Sequence, residues 1–284
     1  SFSLPFSLLS SSPFSLFPFP FFLPPSFSFL PSPLPPVSSS PLPAFPASSF
    51  PLSLLGPRAR AFLPPVPGSA CCTAAFPFGH VRESDIAGHQ VRALRVTYVG
   101  ELGWELHIPL AATGNVFDAL MRAGAAHGIR LCGYRAIESL RLEKGYRAWG
   151  ADITPNDSPF EAGLGWAVKL GRNTPFVGRD TAQRIAASPL KKQLACFTVD
   201  DPDIVLLGRE TILRDGALAG YLTSAGFGYT VGLPIGYGYV RNGEGVDEAY
   251  LRNGAYELIV ANETVPATIH LAPLYDPLMS RIKA

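Results

Sequence analysis

Val96-Thr97-Tyr98-Val99-Gly100-Glu101-Leu102-Gly103-Trp104-Glu105-Leu106-His107-Ile108-Pro109 is the stretch from which the fold is read. Val96 and Tyr98 lead into a glycine-flanked turn, and Trp104, Leu106 and Ile108 follow it at a spacing of two. That spacing predicts strand, turn, strand with one buried face. Glu105 falls between Trp104 and Leu106, so period-two alternation turns its carboxylate to the opposite face, together with His107. Tyr98 lies seven residues earlier, where a hairpin would bring the strands together. Two readings follow from the pattern. In one, Glu105 faces solvent, as surface carboxylates ordinarily do. In the other, a carboxylate and a phenol line a pocket for a flat heteroaromatic ligand with several donors. Spacing leaves both open.

Around this stretch the chain is uneven. It has 284 residues, a net charge of +1 and 16% charged residues, yet no charge occurs from Ser1 to Pro57, a tract of Ser, Phe, Leu and Pro. Prolines interrupt every apolar run, so there is no span of roughly 20 apolar residues for a membrane helix. The first basic residue is Arg58, which does not suit a secretory leader. Ser, Phe, Leu and Pro can all be encoded by pyrimidines alone, and no methionine precedes Met121. The expectation is therefore that residues 1–75 stand outside the folded domains, disordered or non-native, with a wrong gene start as one source.

Ordinary composition begins near Phe76. Val91 to Tyr98 and Trp104 to Ile108 read as strands. Val116, Leu120 and Ala123 mark an amphipathic helix over Ala112–Ala126, stopped by Gly128. Gly133–Lys144 reads as a second helix and Gly178–Ala187 as a short one. Leu164, Trp166, Val168 and Leu170 alternate as in a strand, with Trp149 and Trp166 expected in the core or a pocket wall. From Leu194 onward short strands follow one another, separated by turn signals such as Asp215-Gly216 and Asn253-Gly254, a cadence that suits a small β-barrel or sandwich. The expected class is α+β: a mixed domain over 76–189 and a small β-barrel domain over 190–284.

Chemistry-bearing patterns are sparse. Cys71 and Cys72 are adjacent, Cys132 and Cys196 are isolated, and the five histidines are scattered. No metal-ligand spacing or disulfide framework emerges. Near-neutral charge without a basic cluster argues against nucleic acid as partner. Arg141 and Glu143 read as structural ion-pair residues, Asp276 as a turn residue, and His107 as a surface or satisfied histidine that shares the face of Glu105.

Taken together, Phe76-Pro77-Phe78, Val91 to Leu106, Gly133-Tyr134-Arg135-Ala136-Ile137-Glu138-Ser139-Leu140-Arg141-Leu142-Glu143-Lys144-Gly145-Tyr146-Arg147 and Pro159-Phe160-Glu161-Ala162-Gly163-Leu164 resemble one family. It is the folate-binding, aminomethyltransferase-like region of sarcosine and dimethylglycine dehydrogenases, related to the T-protein of the glycine cleavage system. Tyr146-Arg147-Ala148-Trp149-Gly150 and Tyr275-Asp276-Pro277 favour the sarcosine dehydrogenase branch. The resemblance implies a T-protein-like fold, present here in part, and tetrahydrofolate as one-carbon acceptor. It implies pterin contacts at Tyr98 and Glu105, which fall on the family's tyrosine and glutamate seven apart.

There are departures. The position aligned with the family's folate arginine is Ile137, leaving Arg135 as a weaker substitute. The half of the family domain that carries the catalytic aspartate is not seen, so no catalytic residue is assigned. The FAD of the full-length dehydrogenases has no Gly-x-Gly-x-x-Gly here, and a flavin-binding domain or subunit is an implied partner. The chain is expected to bind a small-molecule folate, not membrane or nucleic acid, and to be inactive alone. The cytoplasm is the expected compartment, with the mitochondrial matrix as the alternative. A non-catalytic regulatory module on the same fold, as in the pyruvate dehydrogenase phosphatase regulatory subunit, is the second reading.

Overall fold

The structure is a computed structural model that describes residues 15–18, 49–62 and 76–284, the first of these for backbone only. The expectation for residues 1–75 thus falls mostly outside the described residues, Cys71 and Cys72 included. Two compact units are distinguished, residues 1–137 with 278–284, and residues 138–277.

The first unit is built on an antiparallel sheet. Its strands are β1 (Ser15–Pro18), β2 (Ser49–Leu55), β3 (Val81–Ile86), β4 (His89–Leu94) and β5 (Gly103–Pro109), in the order β1-β2-β5-β4-β3. The order places β2 inside the sheet, paired with β5 at seven positions from Ser49↔Pro109 to Leu55↔Gly103. A core strand therefore lies within the tract that composition sets apart. Phe50, Leu52 and Leu54 alternate there as a half-buried strand requires, and Leu52 and Leu54 are buried. Helix α1 (Ala59–Phe62) follows. Ala87 and Gly88, both at positive φ, close the β3–β4 hairpin in the mirror-image turn that suits strand twist.

The link from β4 to β5 is longer than predicted. β4 ends at Leu94, and Arg95 to Leu102 cross over as loop, so Tyr98 belongs to that loop and not to a strand. Arg95, just past β4, keeps backbone bonds to His80 O and from Gly79 N, while its guanidinium turns to the chain itself. It is fully buried, donating to Phe76 O at 2.5 Å and to Ala284 O at 2.5 Å, and it lies 6.0 Å from the Trp104 ring centroid. Arg60 donates to the same Ala284 oxygen at 2.6 Å.

Helix α2 (Thr113–Gly124) covers one face of the sheet. Val116 and Leu120 join Leu52, Leu54, Val91, Ala93, Trp104, Leu106 and Ile108 in one core. Trp104, Leu106 and Ile108 are completely enclosed while Glu105 and His107 are half-buried, so the alternation read from sequence holds residue by residue.

Helix α3 (Tyr134–Lys144) forms as predicted. Helix α4 (Arg179–Ala186) is the short predicted helix. Between them no strand forms over 161–169. Pro159 to Gly163 turns, Gly163 has φ +69°, and a single 3-10 turn spans Gly165–Ala167. Trp166 is 70% exposed and Trp149 56%, so both tryptophans lie outside the core. The alternation misleads because no neighbouring strand is there to bury its apolar side.

The rest of the second unit is a closed antiparallel barrel of β6 (Lys192–Thr198), β7 (Thr211–Arg214), β8 (Ala217–Gly228), β9 (Leu233–Arg241), β10 (Tyr256–Val260) and β11 (Glu263–His270), in the cyclic order β10-β11-β6-β9-β8-β7. Gly220 and Gly238 permit the tight β8–β9 approach. A Cβ on Gly220 would stand 2.0 Å from Tyr239 O, and one on Gly238 2.6 Å from Tyr221 O. Helix α5 (Glu248–Arg252) is capped by Asp247, whose carboxylate accepts from Tyr250 N at 2.7 Å. Helix α6 (Ser280–Lys283) buries Ile282 in the first unit.

Candidate functional site

Strand register decides what surrounds Glu105. On the side of the sheet away from α2, Glu105 lies between Leu94 of β4 and Ser53 of β2. The next row on that side is His107 of β5, between Pro51 of β2 and Arg92 of β4, with Glu83 of β3 beyond Arg92. A polar band of Glu83, Arg92, His107 and Glu105 thus runs over a sheet whose other face is sealed.

The charges in this band are unequally satisfied. Arg92 Nε donates to Glu83 Oε1 at 2.8 Å. Among the described residues the only basic nitrogen within 4.0 Å of the Glu105 carboxylate is His107 Nε2, at 4.0 Å. Burial pushes the Glu105 carboxyl above its ordinary value. Burial, then the charge on Arg92, pushes the His107 imidazole below its ordinary value. Burial thus disfavours the charged form of both groups, and 27% of the Glu105 side chain remains exposed. A carboxylate so placed can accept from a donor-rich planar edge at little further desolvation cost.

The three residues predicted for the ligand sit as follows. Glu105 is on the open face of β5. Tyr98 is half-buried in the β4–β5 loop. Arg135 is the second residue of α3 and exposed. Glu105 and His107 are brought together directly, and Tyr98 and Arg135 share their unit. Two participants went unread in the sequence. Ser53, opposite Glu105, is hidden in the low-complexity tract. Arg92, opposite His107, could have been found from the β4 alternation once the pairing with β5 was fixed.

The charges of α3 have a different office. Arg141, buried, donates to Glu138 at 2.7 Å and to Asp152 at 2.6 Å. Asp152 also accepts from Thr223 Oγ1 at 2.5 Å and Ser224 Oγ at 2.6 Å, which ties it to β8. Glu143 accepts from the backbone of Thr230 and Val231 rather than making an ion pair. Asp276, expected as a turn residue, has the positive φ of one but also pairs with buried Lys144 at 3.1 Å. Cys196 is buried, its thiol pushed up to about 12 by burial and so unreactive, while Cys132 is half-buried. Among the described residues no three His, Cys, Asp or Glu side chains cluster as a metal site, and no helix is long and apolar enough to cross a membrane.

A helix-backed antiparallel sheet followed by a closed six-stranded barrel is a fold of the aminomethyltransferase T type. Residues 46–172 match the model of the GCVT N-terminal domain, and residues 192–276 that of the glycine cleavage T-protein C-terminal barrel domain. The chain belongs to the glycine cleavage T-protein family.

It is 44% identical to mitochondrial sarcosine dehydrogenase of Mus musculus over 82% of this chain and 25% of that one. To mitochondrial dimethylglycine dehydrogenase of Homo sapiens it is 34% identical over 66% of this chain and 22% of the other. To the mitochondrial pyruvate dehydrogenase phosphatase regulatory subunit of Mus musculus it is 33% identical over 78% and 27%. The chain spans about a quarter of the length of these relatives. Among solved structures, the glycine cleavage system aminomethyltransferase T from Bartonella henselae superposes with a TM-score of 0.68 at 22% identity, over 81% of this chain and 60% of that one, a likeness of fold.

Proposed function

We propose that this chain is the tetrahydrofolate-holding portion of a flavin-dependent methylamine dehydrogenase of the sarcosine and dimethylglycine type. Tetrahydrofolate would supply the acceptor nitrogen for the one-carbon unit released by oxidation. Glu105 would accept paired hydrogen bonds from the amino group and ring N–H of the pterin. Tyr98 would offer a ring wall or a hydroxyl, and Arg135 would meet the acidic tail of the folate. The contribution of such a site is chiefly positioning, which can provide much of a rate enhancement. The observation that carries the reading is the half-buried Glu105 carboxylate, raised by burial, on the open face of a sheet that is otherwise sealed.

Oxidation of the amine needs the flavin-binding part, for which no residue here is proposed, so the chain alone is assigned binding without turnover. The names of the relatives point to the mitochondrial matrix as its compartment, in place of the cytoplasm. A second reading, a regulatory module without chemistry, is favoured by the similarity to the phosphatase regulatory subunit. Isothermal titration with tetrahydrofolate under anaerobic conditions separates the two. The first reading expects saturable 1:1 binding, weakened about tenfold or more in Glu105→Gln, because a hydrogen bond to a charged group is worth about 1.5–3 kcal/mol. Equal affinity of Glu105→Gln and parent would remove Glu105 from the site, and absence of binding would leave the regulatory reading.

A further inference from the structure

We infer that His107 is the positioning residue of the ligand site: its imidazole, on the same face of β5, holds the Glu105 carboxylate in the conformation that meets the ligand, and the Arg92–Glu83 pair orders the neighbouring strand beside it. The inference rests on the proposed folate site and adds to it the part of the sheet that would make Glu105 competent.

The geometry comes from register. His107 and Glu105 are two residues apart on β5, project from the same face, and approach to 4.0 Å between Nε2 and Oε2. Glu105 has Ser53 and Leu94 as cross-strand neighbours, and among the described residues no lysine or arginine reaches its carboxylate. On β4 the charged residue facing His107 is Arg92, and behind it on β3 is Glu83; on β2 the neighbours are Pro51 and Ser53, which carry no charge. The side chains of His107 and Arg92 are 18% and 11% exposed, so the row is partly withdrawn from water and its interactions are weakly screened.

The functional consequence is a division of labour. A protonated imidazole at this distance would neutralise the carboxylate and compete with N–H donors of a ligand. Burial disfavours that second positive charge, and Arg92, opposite on the neighbouring strand, does the same. A neutral ring can still limit the rotamers of Glu105, and a contact of 4.0 Å in the free protein can shorten to a hydrogen bond once a ligand is held. Arg92 itself is kept in place by its 2.8 Å bond to Glu83. The ordered row thus leaves the Glu105 carboxyl with no lysine or arginine in contact among the described residues, open to a planar donor edge.

The test uses the full chain with Glu105→Gln, His107→Ala and His107→Gln, each titrated with tetrahydrofolate from pH 5 to pH 8, and imidazole NMR on ligand-free protein. The expected result is an affinity loss of about tenfold for His107→Ala, largely restored in His107→Gln, which keeps a hydrogen-bonding side chain without a titrating ring. Without ligand, Glu105→Gln should move the His107 titration to lower pH, since it removes the anion that favours the protonated ring. Arg92→Gln should move it to higher pH.

If Glu105→Gln weakens binding while His107→Ala does not, the inference fails and the folate site stands. An unmoved His107 titration in Glu105→Gln overturns the inference whatever the ligand does. If His107→Ala weakens binding and Glu105→Gln does not, His107 does not act through Glu105, and both readings fall. Failure of the parent chain to bind tetrahydrofolate at all likewise overturns both.

Discussion

Among the described residues, the buried charges of α3 in the barrel unit meet partners within the fold, whereas Glu105 on the sheet has no lysine or arginine in contact. Arg141 spends its guanidinium on Glu138, Asp152 and the carbonyl of Tyr146, and Asp152 spends its second oxygen on Thr223 and Ser224. Lys144 has Asp276, and Glu143 has two backbone N–H groups. Glu105 has an imidazole at 4.0 Å, whose pKa burial and then the Arg92 charge push below its ordinary value. The difference separates two uses of buried charge. A fully partnered network fixes one arrangement of the chain, whereas a carboxylate left short of partners is reserved for something that arrives from outside.

The largest effect that could break this contrast is on the network. Asp152→Ala strips Arg141 of its innermost partner, leaves the Ser224 hydroxyl without its acceptor and leaves Thr223 only the Tyr237 carbonyl. The expected loss of stability is about 3–5 kcal/mol, the range for breaking a buried ion pair on one side. Urea denaturation of the full chain measures it. A loss below about 1 kcal/mol, the worth of an exposed pair, would show the network to be ornamental.

A slightly smaller effect sharpens the sheet side. Leu54 is completely enclosed and belongs to the core formed with Trp104 and Leu120. Leu54→Ala is expected to cost about 2–5 kcal/mol in the transition that reports the first unit. A neutral result would return Ser49–Leu55 to the tract that composition sets apart from the folded chain.

These two positions also show what the sequence displayed and what it hid. The alternation of Trp104, Leu106 and Ile108 declared the sealed face of β5, and the turn-spaced strands after Leu194 declared a barrel, because short-range periodicity is what pleated strands impose. Phe50, Leu52 and Leu54 carry the same alternation, but a background of the same residue types drowned it, and only the partner strand β5 distinguishes it. The predicted strand through Trp166 failed for the reverse reason, a pattern with no partner. Glu105 and His107 were placed on one face from spacing alone. That Glu105 faces Ser53 and Leu94 while Arg92 faces His107 depends on the register of three strands, which no local pattern contains.

The smallest effect is the one that joins stability to function. Burial holds the Glu105 carboxyl above its ordinary value, so the folded chain takes up this proton more readily than the unfolded chain. Ionised Glu105 therefore opposes folding at pH above that raised value, and the penalty fades as pH falls and the group is protonated in both states. Glu105→Gln removes the penalty while keeping the shape. Its melting temperature at neutral pH is expected to rise by about 1–3 °C over the parent, as when a functional strain is relieved, and the two proteins should converge toward acid pH. Ligand affinity should move the opposite way, falling in the parent as pH drops through the same raised value. Thermal melts of both proteins across pH, read beside the titrations, check the sign. A substitution that lowers stability at neutral pH would mean that the carboxylate is already answered within the fold, as Asp152 is, and its reservation for a ligand would be lost.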